Sequence, residues 1–437
     1  MTTTSLSNAA MDTTVVHVTG GRPLVGRVPV QGSKNIALHL YAAAFLADAP
    51  VVLTGTPAIL DTQVCAQILR HAGATVDVGA GRMSVAPPNA ARLLIHPGLG
   101  RKVRTTTVLA AAVLARTGQV SFPYPGGDAF CPRLIDRHLA AMQAAGADVI
   151  ASDTGLRAVC GPRGVTAFTV DVNTPYGPSL GATVTAMLLA ARARGTSLIT
   201  HPSIEPEVTE TARFLADRGV LIHTDDEGLH VTGSDWIAGG EFAVAGDRIE
   251  AATMIMAAAA TGGDIHLDNI TPAELPDGLA SAFASAGISL TDARNGGVRA
   301  QCHGTLTAVE TATGPHPGLP TDTAPQLAAM LTQAHGTSLI AERVYPRRDT
   351  HVEGLRAFGA DIAATDAMTR IRGLVRLHGA RVEGADIRAA SALMIAALAT
   401  EGASTIRGMY HLRRGYGHLL DNLATLGADI TTIPGGS

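Results

Sequence analysis

Lysine is nearly missing from this chain: of 33 basic residues only Lys34 and Lys102 are lysines, so 31 are arginines. Aromatic residues are also scarce, at 3% against 46% hydrophobic residues. The core must therefore be built from Ala, Val, Leu, Ile and Met, and alanine-rich helices that pack closely suit a layered α/β protein. The four cysteines, Cys65, Cys131, Cys160 and Cys302, form no CxxC pair. That argues against a structural zinc site and a disulfide framework, and it fits a reducing, cytoplasmic setting. The 16 histidines include no HExxH and no pair at ligand spacing, so they read as structural or surface residues. No metal or cofactor is expected. GxSxG, GxGxxG and GxxxxGK[ST] are missing, against a serine-hydrolase elbow, a dinucleotide fingerprint and a P-loop. Strong charge is missing too. A net charge of −4 is too mild to indicate a nucleic-acid or membrane partner. Apolar runs such as TVLAAAVLA are too short to cross a bilayer. The first residues, MTTTSLSNAAMDTT, lack a signal-peptide pattern and read as a disordered tail.

Repetition is what the chain does have. An amphipathic segment, a glycine and a β-branched run recur at Gly73, Gly146, Gly219, Gly287, Gly359 and Gly427, about 70 residues apart. A second series interleaves with it, in which an alanine-rich apolar helix stops at a glycine or proline and a strand follows. Its members include VLARTGQVSFP, AARARGTSLIT and LTQAHGTSLIA. Glycine just past a helix takes the left-handed position without a Cβ clash, and the Val/Ile/Thr run suits a strand. Each unit reads as helix–strand–helix–strand with short extra strands, too long for a solenoid repeat. Six units suggest two domains of three. One helix of each unit is apolar nearly all round, hence buried, and the other is amphipathic. Buried helices surrounded by sheets form an inside-out arrangement, unlike a Rossmann fold.

Polar and charged residues gather where the six apolar helices begin. In QGSKNIAL, Ser33 reads as an N-cap, with Lys34 and Asn35 in a first turn whose free N–H groups attract anions. Arg104 stands at the start of the second such helix, and Ser179, Leu180 and Gly181 at the third. Asp247, Arg248 and Glu250 open the fourth, Thr321 and Asp322 the fifth, and Asp386 and Arg388 the sixth. A cap explains one Ser, Thr or Asp at each place. It does not explain an added Lys or Arg, which opposes the positive end of the helix dipole. An arginine there is more natural beside an anion, and converging starts would make one basic cleft. Two further basic pairs, Arg347–Arg348 and Arg413–Arg414, follow the strands of repeats five and six. The loop PYPGGDAFCPR carries two candidates for chemistry, Asp128 and Cys131.

In GSKN, VRTT, PGGDAFCPRLIDRH, PSLGATVT, GDRIEAAT, PHPGLPTD, ADIRAAS and RGY, taken in order, the chain resembles the UDP-N-acetylglucosamine enolpyruvyl transferases, relatives of the shikimate-pathway enolpyruvyl transferase. The resemblance covers nearly the whole chain. It implies the enolpyruvyl transferase fold, α/β with two inside-out domains, each of three repeated βαβαββ-type units. It implies an N-terminal lobe of residues 34–245 carrying the 123–133 catalytic loop, and a C-terminal lobe of residues 1–33 plus 246–437. The active site is expected in the cleft between the lobes. The implied substrates are phosphoenolpyruvate and a uridine nucleotide. Lys34 and Asn35 match the phosphoenolpyruvate-side pair, and Arg104 an acceptor- and anion-binding arginine. Asp128 stands where the family has a loop cysteine or aspartate, the acid. Arg133, Leu134, Ile135, Asp136 and Arg137 match the nucleotide-binding end of the loop. Ser179, Leu180 and Gly181 match another acceptor contact, and Val344 lies by the acceptor. Asp322 matches the carboxylate beside the sugar hydroxyl, the candidate base. Arg348, Asp386, Arg388 and Arg414 match the C-terminal phosphoenolpyruvate cluster.

Departures fall beside these positions: Leu134 where the family has proline, Ile204 before Glu205-Pro206, Pro346-Arg347-Arg348-Asp349, and Arg413 before Arg414. The leading acceptor is UDP-N-acetylglucosamine, which would place the protein in peptidoglycan precursor synthesis. The alternatives are the 3′-hydroxyl of UMP, as in nucleoside-antibiotic synthesis, and a non-catalytic nucleotide-binding paralogue. The loop reading is open to a direct chemical test. Fosfomycin alkylates a thiol at the acid position, so with Asp128 there the protein is expected to keep full activity after exposure. Loss of activity with a label on Cys131 would reverse the assignment.

Overall fold

A computed structural model describes residues 14–79, 81–128, 134–293, 296–302 and 304–434 of the chain. They form two compact units, Gly32–Gly246 and the residues flanking it, up to Gln31 and from Asp247. Residues 32, 33 and 246 thus join residues 34–245. Each unit has its own apolar core: one is drawn from residues between Ile36 and Val244, the other from Val16 to Val30 and from Ala251 onward.

Three alanine-rich helices fill the centre of each unit. They are Lys34–Leu46, Thr106–Thr117 and Leu180–Ala190 in one, and Arg248–Ala260, Ala324–Leu331 and Ile387–Ala399 in the other. In Lys34–Leu46 every residue except Asn35 is buried, and in Arg248–Ala260 every residue except Ala260. Alanine makes this possible, because it lets three helices approach without overpacking. The larger side chains among them, such as Leu40 and Phe45 at 0% exposure, contribute about 1.5–3 kcal/mol each by leaving water. Six further helices alternate with these: Leu60–His71, Asp136–Ala144, Pro206–Ala216, Asp277–Ala286, Val352–Ala357 and Leu419–Thr425. These bury one stripe only; Pro206–Ala216 turns Glu207, Val208, Thr211, Phe214 and Leu215 inward. None of the helices is long and apolar enough to cross a membrane, among the described residues.

Five four-stranded sheets share one plan: an edge strand lies parallel to a central strand, and two antiparallel strands complete the sheet, as a hairpin in four of the five. The second repeat keeps three strands and marks the edge by one parallel bridge, Leu94 to Ser121. Two edge strands have changed places. Val25–Pro29 precedes the Lys34 helix in sequence, yet it pairs with Asp264–Asp268 of the fourth repeat. Gly240–Ala243 precedes the Arg248 helix, yet it pairs with Val51–Thr54 of the first. Each exchange sits where the chain passes from one unit to the other. Val15–Gly20 completes the sixth sheet, between Gly402–Arg407 and Asp429–Ile433.

All six glycines of the first repeat series have left-handed φ, from 89° to 102°. Each ends an amphipathic helix and leads into the next strand, so the periodic signal has a backbone cause. Two expectations about helix starts need correction. Arg104 lies outside its helix, which begins at Thr106. Thr321 and Asp322 stand in a 3₁₀ turn, Thr321–Thr323, and the α-helix begins at Ala324 with Pro325 in its first turn, where the missing N–H costs nothing.

At Gly287, φ is +89° and an added Cβ would meet only Thr307 Oγ1, at 4.0 Å. Gly287→Ala therefore isolates the conformational cost, and it is expected to lower stability by about 1–2 kcal/mol. Gly79 has open space and no left-handed φ, so Gly79→Ala should leave the denaturation midpoint within about 0.5 kcal/mol or raise it. Equal midpoint shifts for the two variants in a urea titration would refute the assignment.

Candidate active site

Four of the six buried helices are capped by a side chain. Ser33 accepts from Ile36 N, Ser179 from Ala182 N, Asp247 from Ile249 N and Glu250 N, and Asp386 from Arg388 N and Ala389 N. Each such bond satisfies a first-turn N–H that has no helical partner, worth about 1 kcal/mol. The helices starting at Thr106 and Ala324 have no side-chain cap bond. The charged residues described next stand around these ends.

In the unit of Gly32–Gly246, Lys34 is the first residue of its helix and is buried. Its ammonium pairs with Asp61 Oδ2 at 2.8 Å. Asp61 opens the amphipathic helix of the same repeat and was not singled out by sequence reasoning, since nothing in the spacing links it to Lys34. Asn35 is half-buried beside it, and Arg104 is exposed. Arg104 acts electrostatically on two histidines, buried His39 and half-buried His138. Burial holds His39 down at about 4, opposed by Glu207 and reinforced by Arg104. Burial, then His39 and Arg104, hold His138 at about 3. Both imidazoles are neutral at physiological pH. His138 Nδ1 lies 2.7 Å from Thr185 Oγ1. Its ring also explains Gly181, because a Cβ there would come within 2.8 Å of His138 Cε1. Gly181 thus lies against His138, with Ser179 and Leu180 just before it in the chain. The general reading of the histidines as structural or surface residues missed the placement of these two next to a candidate site; their position on or beside the alanine-rich helices was the available signal.

The nucleotide-end residues lie in the same unit. Leu134 is 75% exposed, and Asp136 and Arg137 open the helix Asp136–Ala144. Ile135 precedes it and is partly buried against the core. Arg137 Nε lies 3.7 Å from Asp136 Oδ2 and acts on Asp171, whose carboxyl falls below its usual range mainly through the Asn173 backbone N–H. Asp128 is half-buried at the end of a described stretch. Arg133 and Cys131 lie outside the described residues.

In the other unit Asp322 joins two of the candidate arginines. Asp322 Oδ1 pairs with Arg348 Nη1 at 2.9 Å, and Oδ2 with Arg388 Nη2 at 2.7 Å. Arg388 is buried, and its guanidinium is held charged against desolvation chiefly by Asp322. Its other arm donates to the Tyr416 hydroxyl at 3.1 Å, which also meets Thr253 and Gln326. Asp386 caps the Arg388 helix and accepts from Thr350 Oγ1. Arg414 is buried on the short helix Met409–Gly415. The arginine at this helix start thus has its anion in the protein, Asp322, where the sequence pattern alone suggested a bound one.

Two carboxylates hold this group in place: Glu342, which sequence reasoning missed, and Glu250, which it named only as a polar residue opening the fourth helix. Buried Glu342 accepts from the backbone N–H of Val344 and Tyr345, both at 2.9 Å, and from Thr313 Oγ1 at 2.7 Å. Its other oxygen accepts from Thr321 Oγ1 at 2.9 Å, and Thr321 in turn accepts from Arg348. Glu342 therefore sets both the Val344 loop and the turn that carries Asp322. Glu250 is fully buried, and desolvation, aided by Asp247, raises its carboxyl to about 8. It accepts from Gln31 N at 2.7 Å, while the Gln31 side chain spans Gly415 O and Gly417 N. Gln31 so braces the segment of Arg414 and Tyr416.

A family model described as EPSP synthase (3-phosphoshikimate 1-carboxyvinyltransferase) matches residues 18–423. The UDP-N-acetylglucosamine 1-carboxyvinyltransferase of Halothermothrix orenii is 36% identical over 424 residues, covering 95% of this chain and 99% of that protein. That of Hyphomonas neptunium is 36% identical over 421 residues, covering 95% and 97%. Among solved structures, the enolpyruvyl transferase NikO from Streptomyces tendae superposes with a TM-score of 0.86 at 26% identity, covering 96% of this chain and 98% of that one. EPSP synthase from Acinetobacter baumannii gives 0.77 at 19% identity, covering 96% and 99%, a likeness of fold alone.

Glu250 carries a pH prediction. Its folded pKa, about 8, lies above the ordinary 4.5. The folded state therefore keeps a proton that the unfolded state releases, so stability falls as pH rises from about 4.5 to about 8 and then levels. Glu250→Gln keeps an acceptor for Gln31 N and removes the titration. The variant is expected to be more stable than the parent at pH 9, on the order of a few kcal/mol, and similar at pH 4.5. A parallel pH dependence of the two melting midpoints would contradict this.

Proposed function

The chain belongs to the EPSP synthase family of enolpyruvyl (1-carboxyvinyl) transferases, and from that membership we propose that it moves the enolpyruvyl group of phosphoenolpyruvate to a sugar hydroxyl of UDP-N-acetylglucosamine. The observation that carries the acceptor is the 36% identity, over 95% of the chain, to proteins named for it.

The chemistry is addition followed by elimination. C3 of phosphoenolpyruvate takes a proton, and C2 gains positive character. The acceptor oxygen bonds to C2 and gives up its proton. C3 then loses a proton, the bond from C2 to the phosphate oxygen breaks, and phosphate leaves. Such a reaction needs an acid over C3, a base near the hydroxyl, and fixed cations for the phosphate and carboxylate. Asp128 supplies the acid. It must be protonated to do so, which desolvation favours and nearby cations oppose. Lys34, Arg348, Arg388 and Arg414 supply the cations, with Asn35 and Asp386 beside them at helix starts. Asp322 is the base. Its oxygens already hold Arg348 and Arg388, and an anionic substrate competes for the same guanidinium groups. Their transfer to the substrate leaves the carboxylate able to accept the hydroxyl proton. Arg104, Arg133, Leu134, Ile135, Asp136, Arg137, Ser179, Leu180, Gly181 and Val344 receive the nucleotide sugar. A second reading, transfer to the 3′-hydroxyl of UMP, is favoured by the departures at Leu134 and Ile204.

Phosphate release from phosphoenolpyruvate decides between them. Release is expected with UDP-N-acetylglucosamine and not with UMP; the reverse would overturn the cell-wall reading. Lys34→Ala and Asp322→Ala are each expected to lower kcat by about 10²–10⁴-fold. Unchanged rates would refute their roles.

A further inference from the structure

The third repeat carries the hairpin Leu221–Asp225 and Gly228–Thr232, whose first strand is mostly exposed. His223 and His230 are cross-strand partners in its register. Their rings lie parallel, 2° apart in plane, with centroids 4.5 Å apart. His230 Nε2 lies 3.0 Å from Asp225 Oδ1. The same oxygen accepts from Glu227 N at 2.9 Å and Gly228 N at 3.2 Å, so the direction of the carboxylate is fixed by the turn. One ligand atom from each of His223, Asp225 and His230 lies within 4.8 Å of the other two. From Leu221 to Thr232 the chain has three carboxylates, Asp225, Asp226 and Glu227, and no lysine or arginine.

We propose that His223, Asp225 and His230 form a surface site for a borderline divalent cation of the zinc(II) type, with two imidazole nitrogens and one carboxylate oxygen as ligands. Zinc bonds to nitrogen and oxygen of about 2.0–2.2 Å put tetrahedral ligand atoms roughly 3.3 Å apart. The His230–Asp225 pair already has nearly that spacing. His223 is exposed, and a rotamer adjustment of roughly 1.5 Å closes the rest. The ion takes the place of the proton shared by His230 Nε2 and Asp225 Oδ1, and that imidazole then carries its proton on Nδ1. Solvent fills the fourth position. Two imidazoles select zinc, copper or nickel over magnesium or calcium, which prefer all-oxygen shells. The surrounding carboxylates raise the local cation concentration without competing for the imidazole positions. Since the ligands come from both strands, binding staples the hairpin and stabilises the unit that holds it.

The test is titration of the full chain, free of any affinity tag, with zinc(II) and separately with magnesium(II), followed by calorimetry and by the melting midpoint. One saturable equivalent of zinc and a rise in midpoint are expected, with no saturable magnesium binding. His223→Ala, His230→Ala and the shape-conserving Asp225→Asn should each weaken that equivalent at least about 10-fold, since losing even a supporting partner of a ligand costs that much. His201→Ala removes a different surface pair, His201 Nδ1 with Asp171 Oδ1 at 3.0 Å, and should leave the binding intact. Zinc affinity unchanged in the three hairpin variants, equal loss in His201→Ala, no saturable equivalent, or equal binding of magnesium would each overturn the proposal. All the substituted side chains lie outside the groups assigned to enolpyruvyl transfer, so turnover is expected to be unaffected and serves as the check on folding.

Discussion

A helix buried on every side has no water to meet the unpaired N–H groups of its first turn. The described residues hold six such helices, and the arrangement of their polar residues follows from that constraint. Ser33, Ser179, Asp247 and Asp386 close four of the starts by accepting those hydrogens. The sheets that surround the helices leave the starts as the places where charge can be concentrated beside oriented backbone donors. Repetition then multiplies the effect, because a fold that solves the problem once at a helix end solves it in every copy.

Ion pairs placed at such ends are weak reasons for stability. Taking both partners out of water costs several kcal/mol per ion, and an apolar pair of similar volume often does as well. Lys34 with Asp61, and Asp322 with Arg348 and Arg388, therefore call for another reason. On the proposed reading, phosphoryl and carboxylate groups supply one, since they need cations that are already fixed and desolvated when the reaction starts. A protein carboxylate that holds the cations in position, and gives them up to a stronger anion, reconciles a stable fold with an anion-seeking site. Glu342 shows the supporting half of the design, with four hydrogen bonds that orient the Val344 loop and Thr321.

Much of the fold was legible because its signal is local. The six repeat glycines are left-handed in every case, and the all-apolar helices are all buried. Exchange of the strands Val25–Pro29 and Gly240–Ala243 has no such signal, since an edge strand reads the same whichever sheet receives it. Residue types at the candidate site were legible for the same local reason, as polar groups opening apolar helices. Their partners were not. Asp61 opens the next helix of its repeat, Asp322 meets Arg388 across 66 residues, and Tyr416 meets Thr253 across 163. Pairing at that range is a property of packing. The same limit applies to His39 and His138: their neutrality is set by burial and by Arg104, none of which sequence spacing records.

The reaction is more legible than its acceptor, and burial explains the difference. Lys34, Arg348, Arg388 and Arg414 are all buried, and exchanging any of them leaves an uncompensated charge or a cavity in a packed core. Leu134 and Ile204 are 75% and 56% exposed. Surface substitutions of this kind shift stability little, usually within about 0.5 kcal/mol. The fold therefore restrains the groups proposed to serve phosphate and carboxylate, and it leaves these exposed residues free to differ. On the proposed reading, acceptor choice is written where the fold exerts least restraint, and it is the property that two chains sharing this architecture and this reaction can most easily hold apart.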